Sequence, residues 1–143
     1  MRPIDSFDGE HRFLSNFWIE PVMFEDMMFP STEHGYQAAK SKDKAERSKF
    51  QSGSAGKAKR LGRRVKLRKD WESVKYQIMK ELVLTKFSNN PDLKAMLLAT
   101  GNRKLIEGNT WGDKTWGCVK QKGTWVGKNW LGKILMEVRE ELR

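Results

Sequence analysis

The sequence predicts an α+β fold, helix-rich, with a few short strands, as a single domain over residues 1–143. Three observations carry that prediction. Trp71, Val74, Ile78, Leu82 and Thr85 recur at helical spacing with Met79, Val83 and Phe87 beside them, one apolar face of a long helix. Across 21–30, two apolar runs flank Glu25-Asp26 and a proline closes each end, as in a hairpin. Leu131, Ile134, Leu135, Val138 and Leu142 repeat the helical period near the far end of the chain. A length of 143 residues suits one core, and 10% aromatic residues with six Trp argue for packing rather than disorder.

The elements follow in order. Residues 4–18 read as a short strand, a turn at Asp8-Gly9 and an aromatic segment. There Phe13, Phe17 and Trp18 are core by default. Ser15 and Asn16 between them can hydrogen-bond a ligand or satisfy loop backbone. The hairpin leads into Ser31–Lys40, where Ser31 and Thr32 can cap a helix starting at about Glu33. Glu33, Gln37 and Lys40 then share a face at i, i+4 and i+7, either a solvated stripe or a functional one. In the first turn, the helix dipole favours Glu33 as the anion. Residues 43–64 read as helical and basic, broken at Gly53 and Gly56. Asp70 can cap the long helix, which Asn89-Asn90-Pro91 ends, and a further helix covers 92–99. Residues 104–108 read as a strand, 109–113 as a loop, 116–119 as a strand and 120–123 as a polar turn before a last helix over 130–142. Trp111-Gly112 and Trp116-Gly117 bracket Asp113. They offer either a flat face for a ring or packing under a loop.

The net charge of +10 is local: residues 40–75 hold 14 Lys or Arg against 4 Asp or Glu, and the rest of the chain is balanced. Such a block is the footprint of phosphate contact, or a solvated charged face. Lys57, Lys59, Arg60, Arg63 and Arg64, around Gly62, are the candidate contacts. One cysteine, Cys118, allows no internal disulfide, and neither a signal peptide nor a membrane span is evident, so a cytoplasmic protein is expected.

No Gly-x-x-x-x-Gly-Lys-Ser/Thr loop for nucleotide triphosphates and no Gly-x-Gly-x-x-Gly motif is present. His11, His34 and the single thiol make a poor metal set. Carboxylates, lysines, amides and aromatics remain. They suit metal-free cleavage of a glycosidic bond through an oxocarbenium-like state, which a carboxylate can stabilise or attack by activating water.

Phe13-Leu-Ser-Asn-Phe17, Thr32-Glu-His-Gly-Tyr-Gln-Ala-Ala-Lys40, Lys86-Phe87, Asp113-Lys-Thr-Trp-Gly117 and Gly127-Lys-Asn-Trp-Leu-Gly132, with Leu135-Met136 and Arg139, together resemble the NADAR (YbiA-like) family. The resemblance runs in family order from Phe13 to Arg139. It implies an N-glycosidase with no cofactor and no metal. One branch of the family hydrolyses phosphorylated riboflavin-pathway aminopyrimidine ribosides, releasing ribose 5-phosphate. The other removes ADP-ribose from guanine in nucleic acid, which makes ADP-ribosylated DNA a partner. The charge block leans towards the second. A non-catalytic module binding ADP-ribose or nucleic acid is the alternative. By the same resemblance Glu33 matches the catalytic glutamate. Lys40 and Asp113 join it, the former as ion pair, ribose contact or Schiff-base nucleophile, the latter orienting a hydroxyl or water. Substrate contacts fall to Asn16, Trp18, His34, Gln37, Trp116, Gly117 and Asn129, with Arg60 and Arg63 on phosphate.

Overall fold

A computed structural model describes residues 1–143, with six α-helices, one 3-10 helix and five strands in two small sheets. The expected α+β class is the one found. The chain forms two compact units, Asn16–Asn89 and a second made of Met1–Ser15 with Asn90–Arg143.

In the unit Asn16–Asn89, β1 (Ile19–Phe24) pairs antiparallel with β2 (Met27–Ser31). The turn residues Glu25 and Asp26 have φ of 46° and 68°, positive at both central positions, as the twist of a tight hairpin requires. Glu25 is an unusual residue there. Its carboxylate is held at 2.7 Å by Arg47, whose guanidinium lies over the Phe24 ring. Pro21 and Pro30 sit inside the strands rather than closing them. Both strands of a two-stranded sheet are edges, and the register shifts between Ile19 and Val22, where Pro21 lies. Val22, Phe24 and Phe29 point inward.

Helix α1 (Thr32–Ala38) follows directly, capped by Ser31, whose Oγ accepts the His34 amide at 3.2 Å. All of residues 31–39 are buried, so this helix runs through packed surroundings rather than along a solvated face. The basic stretch forms two short helices, parted around Gly53 as expected, whereas Gly56, the other expected break, lies inside the second. They are α2 (Lys44–Ser48), capped by Asp43, and α3 (Ala55–Gly62), capped by Ser54. Gly53 separates them with φ of 82°. Helix α4 (Trp71–Ser88) buries Trp71, Ile78, Met79, Leu82, Val83 and Phe87 as its period requires. Asp70 precedes it without capping it: its carboxylate takes two hydrogen bonds from Arg68 instead, at 2.7 and 3.2 Å.

In the other unit, the strand expected near the N-terminus is a single bridge between Ile4 and Leu105. The aromatic segment opens as the 3-10 helix Gly9–Leu14, which buries Phe13 and Leu14. Helix α5 (Pro91–Ala99) is capped by Asn90. The strand expected over 104–108 shrinks to β3 (Gly108–Asn109), parallel to β4 (Cys118–Gln121). A third strand, β5 (Thr124–Val126), was not anticipated. It pairs with β4 across Lys122-Gly123, again positive in φ at both positions. Helix α6 (Trp130–Glu141) buries Leu131, Ile134, Leu135 and Val138, and Arg139 anchors it to Thr100 and the Arg103 carbonyl. No helix is long and apolar enough to cross a membrane.

Candidate active site

The unit Asn16–Asn89 gathers eight of the twelve residues singled out in the sequence. The turn at Asn16–Trp18 is fastened to α1 at its first turn: the Asn16 carbonyl accepts the Glu33 amide at 3.1 Å, and Asn16 Nδ2 reaches Met79 Sδ at 3.5 Å. Asn16 is thereby kept beside Glu33, which is 7% exposed, and Trp18, two residues on, is half-buried. From the other side, α3 approaches closely enough that a side chain at Gly62 would have its Cβ 1.9 Å from Gln37 Oε1. The Gln37 Oε1 is buried and accepts no hydrogen bond. Lys40 lies past the end of α1, and its Nζ donates to the Gly62 carbonyl at 3.4 Å.

The charges around Lys40 define the chemistry. Burial lowers its pKa below the ordinary 10.5, Glu33 pulls it back up, and Arg63 and Lys75 push it down further. Glu33, Lys40, Arg63 and Lys75 therefore share one electrostatic environment. A lysine with a lowered pKa carries more neutral amine, the form that attacks carbonyls. Lys75 was not legible in the motif spacing, because it reaches this cluster from α4, 35 positions beyond Lys40. Arg60 and Arg63 are both exposed at the end of α3.

His34 has a different place. Its ring is fully buried, with Nδ1 2.7 Å from Ser31 Oγ and Nε2 2.9 Å from the Gly53 carbonyl. A carbonyl only accepts, so Nε2 carries the proton. Nδ1 then accepts from the Ser31 hydroxyl, whose oxygen in turn accepts the His34 amide. Both ring nitrogens are taken, and His34 ties the start of α1 to the loop before α3.

The remaining four residues cluster in the other unit. Asp113 Oδ1 accepts the Thr115 and Trp116 amides, each at 2.9 Å. This is an Asx-type turn, which sets the position of the Trp116 ring. That ring packs edge-on against Trp130 at 5.3 Å. Gly117 is required by closeness: a Cβ there would stand 2.3 Å from the Glu107 carbonyl. Asn129 is left-handed at φ 55°, and its amide bridges backbone, accepting from Glu107 N at 3.0 Å and donating to Leu105 O at 2.9 Å. Its geometry is that of a bracket for the start of α6. Asn109 plays a comparable part that the sequence did not disclose, its side chain joining both backbone groups of Asp113 to the Cys118 carbonyl. Burial pushes the Cys118 thiol up, which keeps it protonated and a poor nucleophile.

Residues 5–143 match the NADAR domain family. The chain is similar to the N-glycosidase YbiA of Escherichia coli (strain K12), 43% identical over 140 residues that span 96% of this chain and 85% of that one. It is 37% identical to a riboflavin biosynthesis protein of Vibrio vulnificus, over 95% of this chain and 37% of the longer relative. The NMR structure of Escherichia coli YbiA matches with a TM-score of 0.83 at 38% identity, over 99% of this chain and 86% of that one. The chain belongs to the NADAR domain family.

Proposed function

We propose that this N-glycosidase, a hydrolase of N-glycosyl bonds, cleaves a phosphorylated ribosyl base with Glu33 as its central carboxylate. The observation that carries the reading is the cluster on α1. Glu33 is buried in the first turn, and a lysine of lowered pKa sits in its field. As the bond from the anomeric carbon to the base nitrogen lengthens, positive charge grows on the sugar. Glu33 stabilises that charge and takes the proton from the attacking water, and the base departs with the bonding electron pair and is protonated. Lys40 pairs with Glu33, contacts the ribose, or attacks the aldehyde of a ring-opened ribose. Asp113 orients a hydroxyl or the water. Trp116 or Trp18 stacks on the base, Asn16, Gln37, Gly117 and Asn129 contact the substrate, and Arg60 and Arg63 hold phosphate. The protein acts in the cytoplasm.

Two substrates fit this chemistry. The name of the Vibrio vulnificus relative supports a phosphorylated aminopyrimidine riboside of riboflavin biosynthesis. The excess of cations in residues 40–75 supports ADP-ribosyl-guanine in DNA. A side-by-side assay of the two, with chromatography for free base, separates them. The preferred substrate releases base at a rate well above the other. Binding of either without release of base contradicts the glycosidase reading for this chain.

A further inference from the structure

Ser41, Lys42 and residues 66–70 line an open cleft of about 460 Å³, within the roughly 300–1,000 Å³ of small-molecule sites. Four cations and one acid line it, an excess of three positive charges. Arg68 and Asp70 pair with each other. Lys42, Lys66 and Lys69 are exposed and form no salt bridge, although Lys42 helps to hold the Asp70 carboxyl below its usual range after Arg68. Leu67 stands among them, 50% exposed, as an apolar surface. The strip is not loose. The Arg68 amide donates to the Lys40 carbonyl at 2.7 Å, its Nη1 reaches the Ala39 carbonyl at 3.4 Å, and its own carbonyl accepts the Trp71 amide at 3.2 Å. Like charges are thus held near one another at fixed backbone positions, a repulsion that a bound anion relieves.

We propose that this cleft is a second phosphate-binding site, separate from the Arg60 and Arg63 cations, which takes a nucleotide-sized phosphate ester. Lys42, Lys66 and Lys69 meet the phosphates, and Leu67 meets the ring or sugar. The two hydrogen bonds from Arg68 to residues 39 and 40 connect its wall to the end of the catalytic helix.

The test is an amide-resolved NMR titration of the whole chain with ADP and with inorganic pyrophosphate. The expected result is saturable shifts at Leu67, Arg68 and Lys69, with tighter binding of ADP. In Lys66→Glu/Lys69→Glu, affinity falls about tenfold or more while the rest of the spectrum is retained. Lys42→Gln/Lys69→Gln provides the same reading without charge reversal. Shifts that grow linearly without saturating, or affinity unchanged in both variants, overturn the site. Equal affinity for ADP and pyrophosphate overturns the nucleotide-sized ester. The titration needs no turnover, so its failure is distinct from failure of the glycosidase reading. A substrate arm does rest on that reading: a raised KM at unchanged kcat in the double variant assigns the ester to the substrate itself, and an unchanged KM assigns it to a separate nucleotide.

Discussion

At the residue scale, the sequence distinguished side chains by type, and the structure separates them by what they touch. Glu33 and His34 are neighbours in one motif, yet Glu33 shares a field with Lys40 while His34 holds backbone together. Nothing in the spacing could separate them, because the Gly53 carbonyl that takes the His34 proton lies 19 positions away. His34→Ala leaves a buried cavity and strands the Ser31 hydroxyl and the Gly53 carbonyl. Its expected cost is about 3 kcal/mol, read by urea denaturation, and a loss below half of that would count against the bracket. Lys40 makes a second prediction. Its folded pKa lies below the unfolded value, so between the two the unfolded chain binds more protons and stability rises with pH. The burden of burying the charged amine is present at neutral pH and is relieved as pH climbs towards 10.5. Wild type should therefore gain stability relative to Lys40→Met over that alkaline window. A difference that stays flat with pH would show Lys40 to be ordinarily solvated.

At the scale of elements, the legible parts were those with a long period or a strong punctuation. Helices α4 and α6 announce themselves through repeated apolar positions, and the first hairpin through its turn. Strands β3 and β5, at two and three residues, are too short to show alternation. Asp70 has the right type for a cap, but a nearer guanidinium outcompetes the backbone amides for its carboxylate. Gly62 looked like one small residue amid charge, when it is the point where α3 meets α1. Glycine inside a helix costs about 1 kcal/mol relative to alanine, so its presence there calls for a packing reason, which is the Gln37 amide. Gly62→Ala should destabilise by about 1–3 kcal/mol through overpacking. Gln37→Ala should remove most of that penalty in the double variant, as measured by a thermodynamic cycle. Additive effects would place the two residues apart.

At the scale of the whole molecule, charge and family membership bear on different parts of the reading, the cations on phosphate and the family on the N-glycosyl bond. The cation excess of residues 40–75 falls inside the unit that also carries Glu33, Lys40, Arg60 and Arg63. Match to the NADAR domain extends over residues 5–143, so both units belong to the family pattern. The central claim is that Glu33 is the carboxylate on which base release depends. Its most direct test is Glu33→Gln, an isosteric change that removes the charge, assayed for free base by chromatography on the preferred substrate. A folded variant, with its thermal transition and substrate affinity close to wild type, should release base at least about a hundredfold more slowly. Release at the wild-type rate would contradict the account.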